Sequence, residues 1–206
     1  MKEFWNSRYA QENYVYGTEP NVFFKQNLDA SPQPSGSILL PAEGEGRNAV
    51  YAAKKGLQVE AFDLSDAGQQ KALQLAAHNG VSINYQVGEF SNFDFGENRF
   101  DVVALVFAHF PSWHKSDYHR RLVQYLASPV AFIIEAFSKN HLEYSAKNPD
   151  VGGPRDLDLL LSIEDIQQDF DQLQPLYLKE EVIELNEGAF HKGTGSVVRF
   201  VGRKPE

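Results

Sequence analysis

The sequence lacks cysteine entirely across its 206 residues. Disulfide bonds, thiolate metal sites and cysteine nucleophiles are therefore excluded. It also lacks any apolar run near the ~18 residues that a membrane-spanning helix needs. Polar and acidic residues occupy the N-terminus, where a signal peptide would carry its apolar stretch. We therefore expect a soluble, cytoplasmic protein that makes no membrane contact.

Basic residues are scarce as well. Lys and Arg number 19 against 28 Asp and Glu, which gives a formal net charge of -9. Because nucleic-acid affinity depends largely on Lys and Arg side chains that neutralise phosphates, this charge argues against a nucleic-acid partner. We expect a small-molecule substrate instead, and the composition leaves the oligomeric state open.

The length and the apolar share of 42% are typical of a single globular domain over residues 1–206. In the middle of the chain, short apolar segments alternate with helical patterns, which predicts βαβ units and a parallel sheet of the α/β class. The predicted strands are Ser37–Pro41, Gln58–Asp63, Ile83–Val87, Phe100–Phe107 and Val130–Phe137, and the predicted helices are Asn48–Lys55, Ala67–His78 and Ser116–Leu126.

The N-terminal 30 residues are rich in aromatic side chains. Helical spacing is present before Gly17 and again from Asn21 to Leu28. The following segment, residues 31–37, is a loop by composition.

The C-terminal third breaks the alternation. We predict a long loop over Ser138–Arg155 and a helix that runs from a capping box at Ser162 to Leu173. Two alternating segments, Tyr177–Leu185 and Ser196–Gly202, predict an antiparallel pair of strands.

The turn after the first strand carries the strongest motif. Gly44, Gly46 and Ala49 fit the G-x-G-x-x-A form of a dinucleotide-binding loop, whereas Ala42, Gly44 and Gly46 fit the looser glycine loop of methyltransferases. Both loops need small residues so that the backbone can approach a nucleoside. The position between a strand and a helix supports nucleotide binding in either form.

Two glutamates in this turn help to choose between the cofactors. Glu43 and Glu45 would repel the pyrophosphate that a dinucleotide places on a helix N-terminus. S-adenosylmethionine has no phosphate and carries a sulfonium and an ammonium, which both carboxylates would complement. The alternative is that the glutamates only satisfy amides at the helix terminus.

An acidic residue follows the second strand. Asp63 lies 17 residues after Gly46, close to the ~20-residue offset at which nucleotide folds place a ribose-binding carboxylate. It could instead cap the next helix, but Ser65 or Asp66 can do that equally well. We therefore predict that Asp63 binds the ribose hydroxyls of an adenosine.

Two further positions lie at predicted strand ends, where ligands of such sheets bind. After the third strand, Glu89 could meet the adenine amino group while Phe90 packs on the adenine ring. The same two residues could equally be a surface glutamate beside a core phenylalanine. After the fourth strand, Val106 and Phe107 would face the cofactor. His109 would lie at its mouth, either as a base or as pocket wall.

Three consecutive segments of this chain together resemble class I S-adenosylmethionine-dependent methyltransferases, and most closely the small bacterial tellurite-resistance and thiopurine type. The segments are Ile38–Ala49, Ala61–Ser65 and Phe100–Val103. The likeness extends to Phe4, Trp5, Asn6, Arg8 and Tyr9 with the segment Tyr16–Asn21, and to Gly152–Pro154, Leu159–Ser162 and Glu187–Gly193.

The resemblance implies a Rossmann-like three-layer sandwich with a seven-stranded, mostly parallel sheet of order 3-2-1-4-5-7-6, strand seven being antiparallel. It implies S-adenosylmethionine as cofactor, held by the glycine loop with Asn48 and by Asp63 with Leu64. Residues 1–30 would form a cap that brings Trp5 and Tyr16 over the cofactor, and residues 138–160 would form a substrate lid. The chain departs from the family at Leu40, Ala42 and Glu43, where an acidic residue, a glycine and a small or polar residue are usual.

The implied reaction is transfer of a methyl group to a small acceptor, a thiol or a metalloid oxyanion. The sulfonium is already an activated leaving group, so the protein mainly aligns the reactants and excludes water. Where a base is needed, His109, His191 and Tyr16 are the candidates. The rival hypotheses are a module that binds the cofactor without turnover and a nicotinamide-dependent oxidoreductase.

Overall fold

A computed structural model of the chain describes residues 1–30 and 36–205, apart from the side chains of residues 128–130. Most of the predicted loop over residues 31–37 lies outside the described residues. The helices are α1 (Lys2–Tyr9), α2 (Val22–Ala30), α3 (Arg47–Lys54), α4 (Asp66–His78), α5 (Ser112–Tyr125), α6 (His141–Lys147) and α7 (Ile163–Asp169). The strands are β1 (Ser37–Pro41), β2 (Gln58–Asp63), β3 (Asn84–Val87), β4 (Phe100–Val106), β5 (Leu126–Phe137), β6 (Gln174–Glu187) and β7 (His191–Arg203).

The described strands form one seven-stranded sheet in the order β3-β2-β1-β4-β5-β7-β6. Strands β1 to β5 pair in parallel, and β7 runs antiparallel to both β5 and β6. This order and the single reversed strand confirm the fold predicted from the sequence.

Helices cover both faces of the sheet because successive strand residues point to opposite sides. In β1, Leu39 packs into the core cluster that α5 and α7 cover, whereas Ile38 and Leu40 pack into the cluster under α2, α3 and α4. All three side chains are buried. The result is the predicted three-layer arrangement. No helix among the described residues is both long and apolar enough to cross a membrane.

Strand β1 and strand β2 begin and end where the sequence predicted, and the other central elements differ by one to four residues at an end. The prediction of an open loop over Ser138–Arg155 was wrong. That segment contains α6 and a 3-10 helix at Pro149–Val151. These elements are too short to show a helical period in the sequence, and they form because His141 is buried between Gly152 and Ser196.

The C-terminal strands are longer than predicted. Strands β6 and β7 pair from Gln174 to Glu187 and from His191 to Arg203, with one register shift between Pro175 and Tyr177, so most of the predicted connection Asn186–Gly195 is strand. Conversely, α7 ends at Asp169 instead of Leu173. The predicted capping box is present, with the Ser162 side chain and the Asp165 carboxylate each accepting the other's backbone N–H.

Candidate functional site

The turn between β1 and α3 lies at the carboxyl edge of the parallel strands. Ala42, Gly44 and Gly46 all adopt positive φ, at 53°, 63° and 85°. A Cβ on Gly46 would lie 2.5 Å from the Cβ of Ala72, so glycine at this position lets α3 pack closely on α4. The turn therefore has the small residues that the sequence motif predicted, and the structure adds that their backbone is left-handed, a conformation that favours glycine.

Glu43 binds the backbone amides at the start of α3. Its buried carboxylate accepts the backbone N–H groups of Asn48 and Ala49, each at 2.8 Å. Burial raises the pKa of Glu43 to about 7, against the lowering effect of these amides and of Arg47. The alternative interpretation of Glu43, a partner for amides at the helix terminus, is thus the one that the contacts show.

Glu45 also binds protein groups, although not those of the helix terminus. One carboxylate oxygen accepts the Val15 backbone N–H at 2.7 Å, and the other accepts Lys71 Nζ at 2.8 Å. We call residues 14–21 the strap, because this segment crosses the carboxyl edge of the sheet from α1 to α2. Glu45 thus joins the strap to the glycine turn. Both Glu43 and Glu45 bind protein groups, whereas the sequence suggested that their carboxylates face a cationic cofactor.

Asp63 ends β2 directly beside the turn. Its two carboxylate oxygens accept the N–H groups of Gly44 at 3.1 Å and Ser65 at 2.9 Å. The pKa of Asp63 is raised to about 6 by burial, against the lowering effect of these backbone amides. Ser65 caps α4, with its Oγ accepting the Gly68 N–H, so the helix does not need Asp63 as a cap.

Helix α1 covers this part of the site. Asn6 Oδ1 accepts the Ser65 hydroxyl at 2.7 Å, and the Tyr9 hydroxyl lies so near Gly44 that a Cβ there would be 2.6 Å from it. Trp5 stacks on Tyr9 with ring centroids 5.3 Å apart. The Tyr9 side chain thus contacts the glycine turn directly. Trp5, which was predicted as a cofactor residue, is separated from the turn by the Tyr9 ring.

The strap carries Tyr16 to the other side of the site. Its ring lies 4.5 Å from that of His191 and 6.5 Å from that of Tyr9. Arg47 donates to the Tyr16 carbonyl at 3.2 Å, and Ala189 donates its N–H to the Val15 carbonyl at 3.0 Å. The strap is therefore held at once by the glycine turn, by α3 and by the β6–β7 hairpin.

Asn48, another predicted cofactor residue, is also committed to the strap. Its Oδ1 accepts the Asn21 backbone N–H at 2.9 Å, and its own side chain is buried. Asn48 thus joins α3 to the start of α2.

The end of β3 favours one of the two alternatives that the sequence left open for Phe90. Phe90 is only 3% exposed, and its ring packs against Phe62, Phe110 and Tyr118. It is a core residue, because the 3-10 helix Phe90–Asn92 turns its ring under the sheet edge, and it is not placed to cover an adenine. Glu89 is exposed at the strand end, and Leu64 is half-buried beside Asp63.

At the end of β4, Val106 and Phe107 are half-buried. Phe107 has a positive φ of 51°, an unusual conformation for an aromatic residue. Its ring lies 4.6 Å from those of both Phe137 and His191. Strain of this kind persists only where surrounding contacts impose it, and it is frequent at functional sites.

His109 lies beside this aromatic group, with its Nδ1 3.1 Å from the Leu159 carbonyl oxygen. Burial lowers the pKa of His109 to about 4, although the hydrogen bond to Leu159 opposes this. The side chain is therefore neutral near pH 7 and a weak base. Of the two roles predicted for His109, pocket wall fits this environment better.

A second histidine, His191, is hydrogen-bonded to a carboxylate. His191 Nδ1 lies 3.1 Å from Glu187 Oε2, and the same oxygen accepts Arg47 at 2.8 Å. Asn21 Nδ2 donates to the other Glu187 oxygen at 2.9 Å and to Glu135 at 2.6 Å. The sequence suggested His191 as a candidate base, but it indicated neither Arg47 nor the pairing with Glu187. The sequence feature that could have indicated this pair is the four-residue spacing of Glu187 and His191 before a predicted strand.

Residues 138–160, the predicted substrate lid, border the same region. Gly152 and Gly153 have positive φ, and a Cβ on either would lie within 3.0 Å of His191 or His141 atoms. This segment therefore packs against the histidines beside Phe107.

A family model described as a methyltransferase domain matches residues 38–128, which run from β1 into β5. None of the curated proteins matches the sequence. Solved structures match the fold over nearly the whole chain.

One similar structure comes from a study of the conversion of a disulfide bond into a thioacetal group during echinomycin biosynthesis. It has a TM-score of 0.77 at 17% identity and covers 99% of this chain and 92% of that one. TehB from Haemophilus influenzae has a TM-score of 0.69 at 14% identity over 99% of this chain and 67% of its own. The magnesium protoporphyrin IX methyltransferase ChlM from Synechocystis, solved with bound SAH, has a TM-score of 0.65 at 16% identity over 88% and 80%. The chain thus has the Rossmann-like fold of S-adenosylmethionine-dependent methyltransferases, with a methyltransferase-domain match over its core.

Proposed function

We propose that this protein is an S-adenosylmethionine-dependent methyltransferase that acts on a small molecule. The observation that carries the proposal is the glycine turn after β1 with the Asp63 carboxylate bonded to its Gly44 amide. A carboxylate at the end of β2, next to a turn with no bulky side chain, suits the hydroxyls of a ribose. The methyltransferase-domain match over residues 38–128 supports the same conclusion.

The residues around the turn fit this cofactor better than a dinucleotide. Glu43 already accepts the amides at the start of α3 that a pyrophosphate would bind, and the buried Glu45 adds negative charge there. In the proposed complex Asp63 holds the ribose, Gly44 and Gly46 admit the nucleoside to the backbone, and Leu64 with Glu89 lies at the adenine. Ala42 and Phe107 lie at the methionine end.

The aromatic cover suits a cation. Tyr16 lies between the Tyr9 and His191 rings, on the side of the site where Phe107 ends β4. Aromatic faces attract a positive group within about 6 Å. We infer that Tyr16 and Trp5 close over the bound cofactor, as part of a cap formed by residues 1–30.

We infer that His191 is the base of the reaction. S-adenosylmethionine supplies an electrophilic methyl group when bound. With the cofactor bound, a bond from the acceptor to the methyl carbon would replace the carbon–sulfur bond, and His191 Nε2 would accept the proton that the acceptor gives up. Glu187 holds the Nδ1 side of the ring and stabilises the imidazolium that results.

The histidine and phenylalanine side chains around His191, where we infer that the acceptor binds, favour an uncharged nucleophile. Burial lowers the pKa of His109, His141 and His191, so all three rings are neutral near pH 7. Phe107 and Phe137 add apolar surface between them. Of the two acceptors that the sequence suggested, this environment suits a thiol that loses its proton to His191 better than a metalloid oxyanion.

Calorimetric titration with S-adenosylmethionine tests the cofactor. We expect one site in the unaltered protein and at least a tenfold weaker affinity, about 1.4 kcal/mol or more, in Asp63→Ala. Asp171→Ala, which removes an exposed carboxylate, is the control and should bind normally. Absence of binding to the unaltered protein would overturn the proposal.

A panel of small thiol, selenium and tellurium acceptors tests turnover. His191→Gln should lower kcat by about 10²- to 10⁴-fold while the cofactor affinity is kept. His109→Gln should change kcat by only a few fold. Equal losses in the two variants would refute the assignment of His191, and binding without transfer to any acceptor would favour a cofactor-holding module.

A further inference from the structure

A groove of about 750 Å³ lies outside the proposed cofactor site, between the strap and the outer faces of α3 and α4. The volume is within the range of small-molecule sites in proteins, about 300–1,000 Å³. The glycine turn and His191 are not among its lining residues, so the proposed methyl transfer does not use it.

The lining combines aromatic, apolar and basic groups. Tyr14 on the strap and Tyr51 on α3 contribute two rings, and the buried Val50 and Leu75 contribute an apolar floor. A flat ring suits such a slot because aromatic side chains prefer stacked or edge-on contact with other rings.

The charges point to an anion. Lys54 and His78 line the groove, and Glu19 is the one carboxylate in the lining. Arg47 also lines it, but its guanidinium is already paired with Glu187 at 2.8 Å. Lys54 Nζ donates to Asn79 Oδ1 at 3.2 Å and has no salt bridge within the described ranges, so it is the cation in the lining that can pair with a ligand.

We propose that this groove binds a small organic anion that carries a flat ring, such as an aromatic carboxylate or sulfonate. Lys54 and His78 contact the anionic group, and the ring lies over Val50 and Leu75. The inference does not depend on the proposed methyltransferase activity. The position against Arg47 brings the ligand next to the residue that joins the strap to Glu187.

Fluorescence titration of the protein with anilinonaphthalene sulfonate, an aromatic sulfonate, tests the site. Adjacent lysines provide a matched pair: Lys54 lines the groove, whereas Lys55 pairs with Asp29 at 2.8 Å and is not in the lining. We expect saturable binding at one site, weakened up to about fivefold in Lys54→Gln and unchanged in Lys55→Gln. Added salt should weaken it further.

Methyl NMR of the unaltered protein locates the probe independently of any variant. We expect shifts at Val50 and Leu75. Absence of saturable binding, equal weakening in the two lysine variants, or methyl shifts confined to other parts of the protein would each overturn the proposal.

Discussion

Glu43 shows how the sequence can leave two roles open for one side chain, between which the tertiary contacts then distinguish. Its carboxylate binds the two amides that open α3, as a capping side chain does. A sequence can place an acidic residue in a turn, but the direction of the carboxylate depends on which donors the fold brings within reach.

Removing this carboxylate should destabilise the protein. Glu43→Ala leaves the Asn48 and Ala49 amides buried without their acceptor, and we expect a loss of about 1–2 kcal/mol in the free energy of unfolding. Urea denaturation measures it. Glu89→Ala, at an exposed position in the described structure, should stay within about 0.5 kcal/mol of the unaltered protein; a similar loss in both variants would contradict the capping role.

The pH dependence of Glu43→Gln should reveal the buried charge. Since the folded pKa of Glu43 is raised to about 7 from 4.5, the stabilisation from this group is present below pH 4.5 and is lost as the pH rises through 7. Gln mimics the protonated form at every pH. The variant should therefore gain stability relative to the unaltered protein between pH 5 and pH 8. A constant difference in urea midpoints over that range would show that the pKa of Glu43 is not raised.

At the scale of elements, the strap and the hairpin depend on a close backbone approach. Gly188 has a φ of 65°, and a Cβ there would lie 2.7 Å from the Tyr16 Cα. The sequence showed a glycine in a predicted connection but could not show which segment would lie against it. The strap is thus specified by contacts between positions more than 160 residues apart, such as Asn21 and Glu187.

Substitution of Gly188 tests that approach against a matched glycine. Gly80 has nearly the same φ, 68°, but a Cβ there would have no neighbour within 4 Å. Gly80→Ala should cost only the left-handed backbone penalty of about 1–2 kcal/mol. Gly188→Ala should cost more and should free the strap for limited proteolysis. Identical proteolysis patterns for the two variants would show that the strap does not need Gly188.

At the scale of the whole molecule, α1 lies on the proposed cofactor turn and must move before a ligand reaches Asp63. The α1–α4 contact includes the Asn6 side chain, which accepts Ser65 Oγ at 2.7 Å and the Ala67 N–H at 3.3 Å. Helix α1 is held by these hydrogen bonds, by the exposed Lys2–Asp66 ion pair and by the buried Tyr9, and we expect it to open locally without unfolding of the sheet.

Asn6→Ala should make that opening easier. In stopped-flow mixing with S-adenosylmethionine, we expect the observed association rate of the unaltered protein to level off at high ligand concentration, as gating by the cap requires. Asn6→Ala should raise the plateau, and Gln11→Ala, at an exposed position after α1, should leave it unchanged. A rate that grows linearly with concentration in every variant would exclude gating.

The sequence by itself determined the order of strands and helices along the chain from β1 to β5, the position of the glycine turn and the place of Asp63 at the end of β2. These features follow from local patterns: apolar segments of strand length, turn residues between them and the known crossover rules of parallel sheets. Only the tertiary structure decided that Glu43 caps α3, that Glu45 binds the strap, that Phe90 is core, and that His191 instead of His109 is paired with a carboxylate. Each of these depends on partners distant in the chain or on the rotation of a side chain, and neither leaves a periodic signal in the sequence.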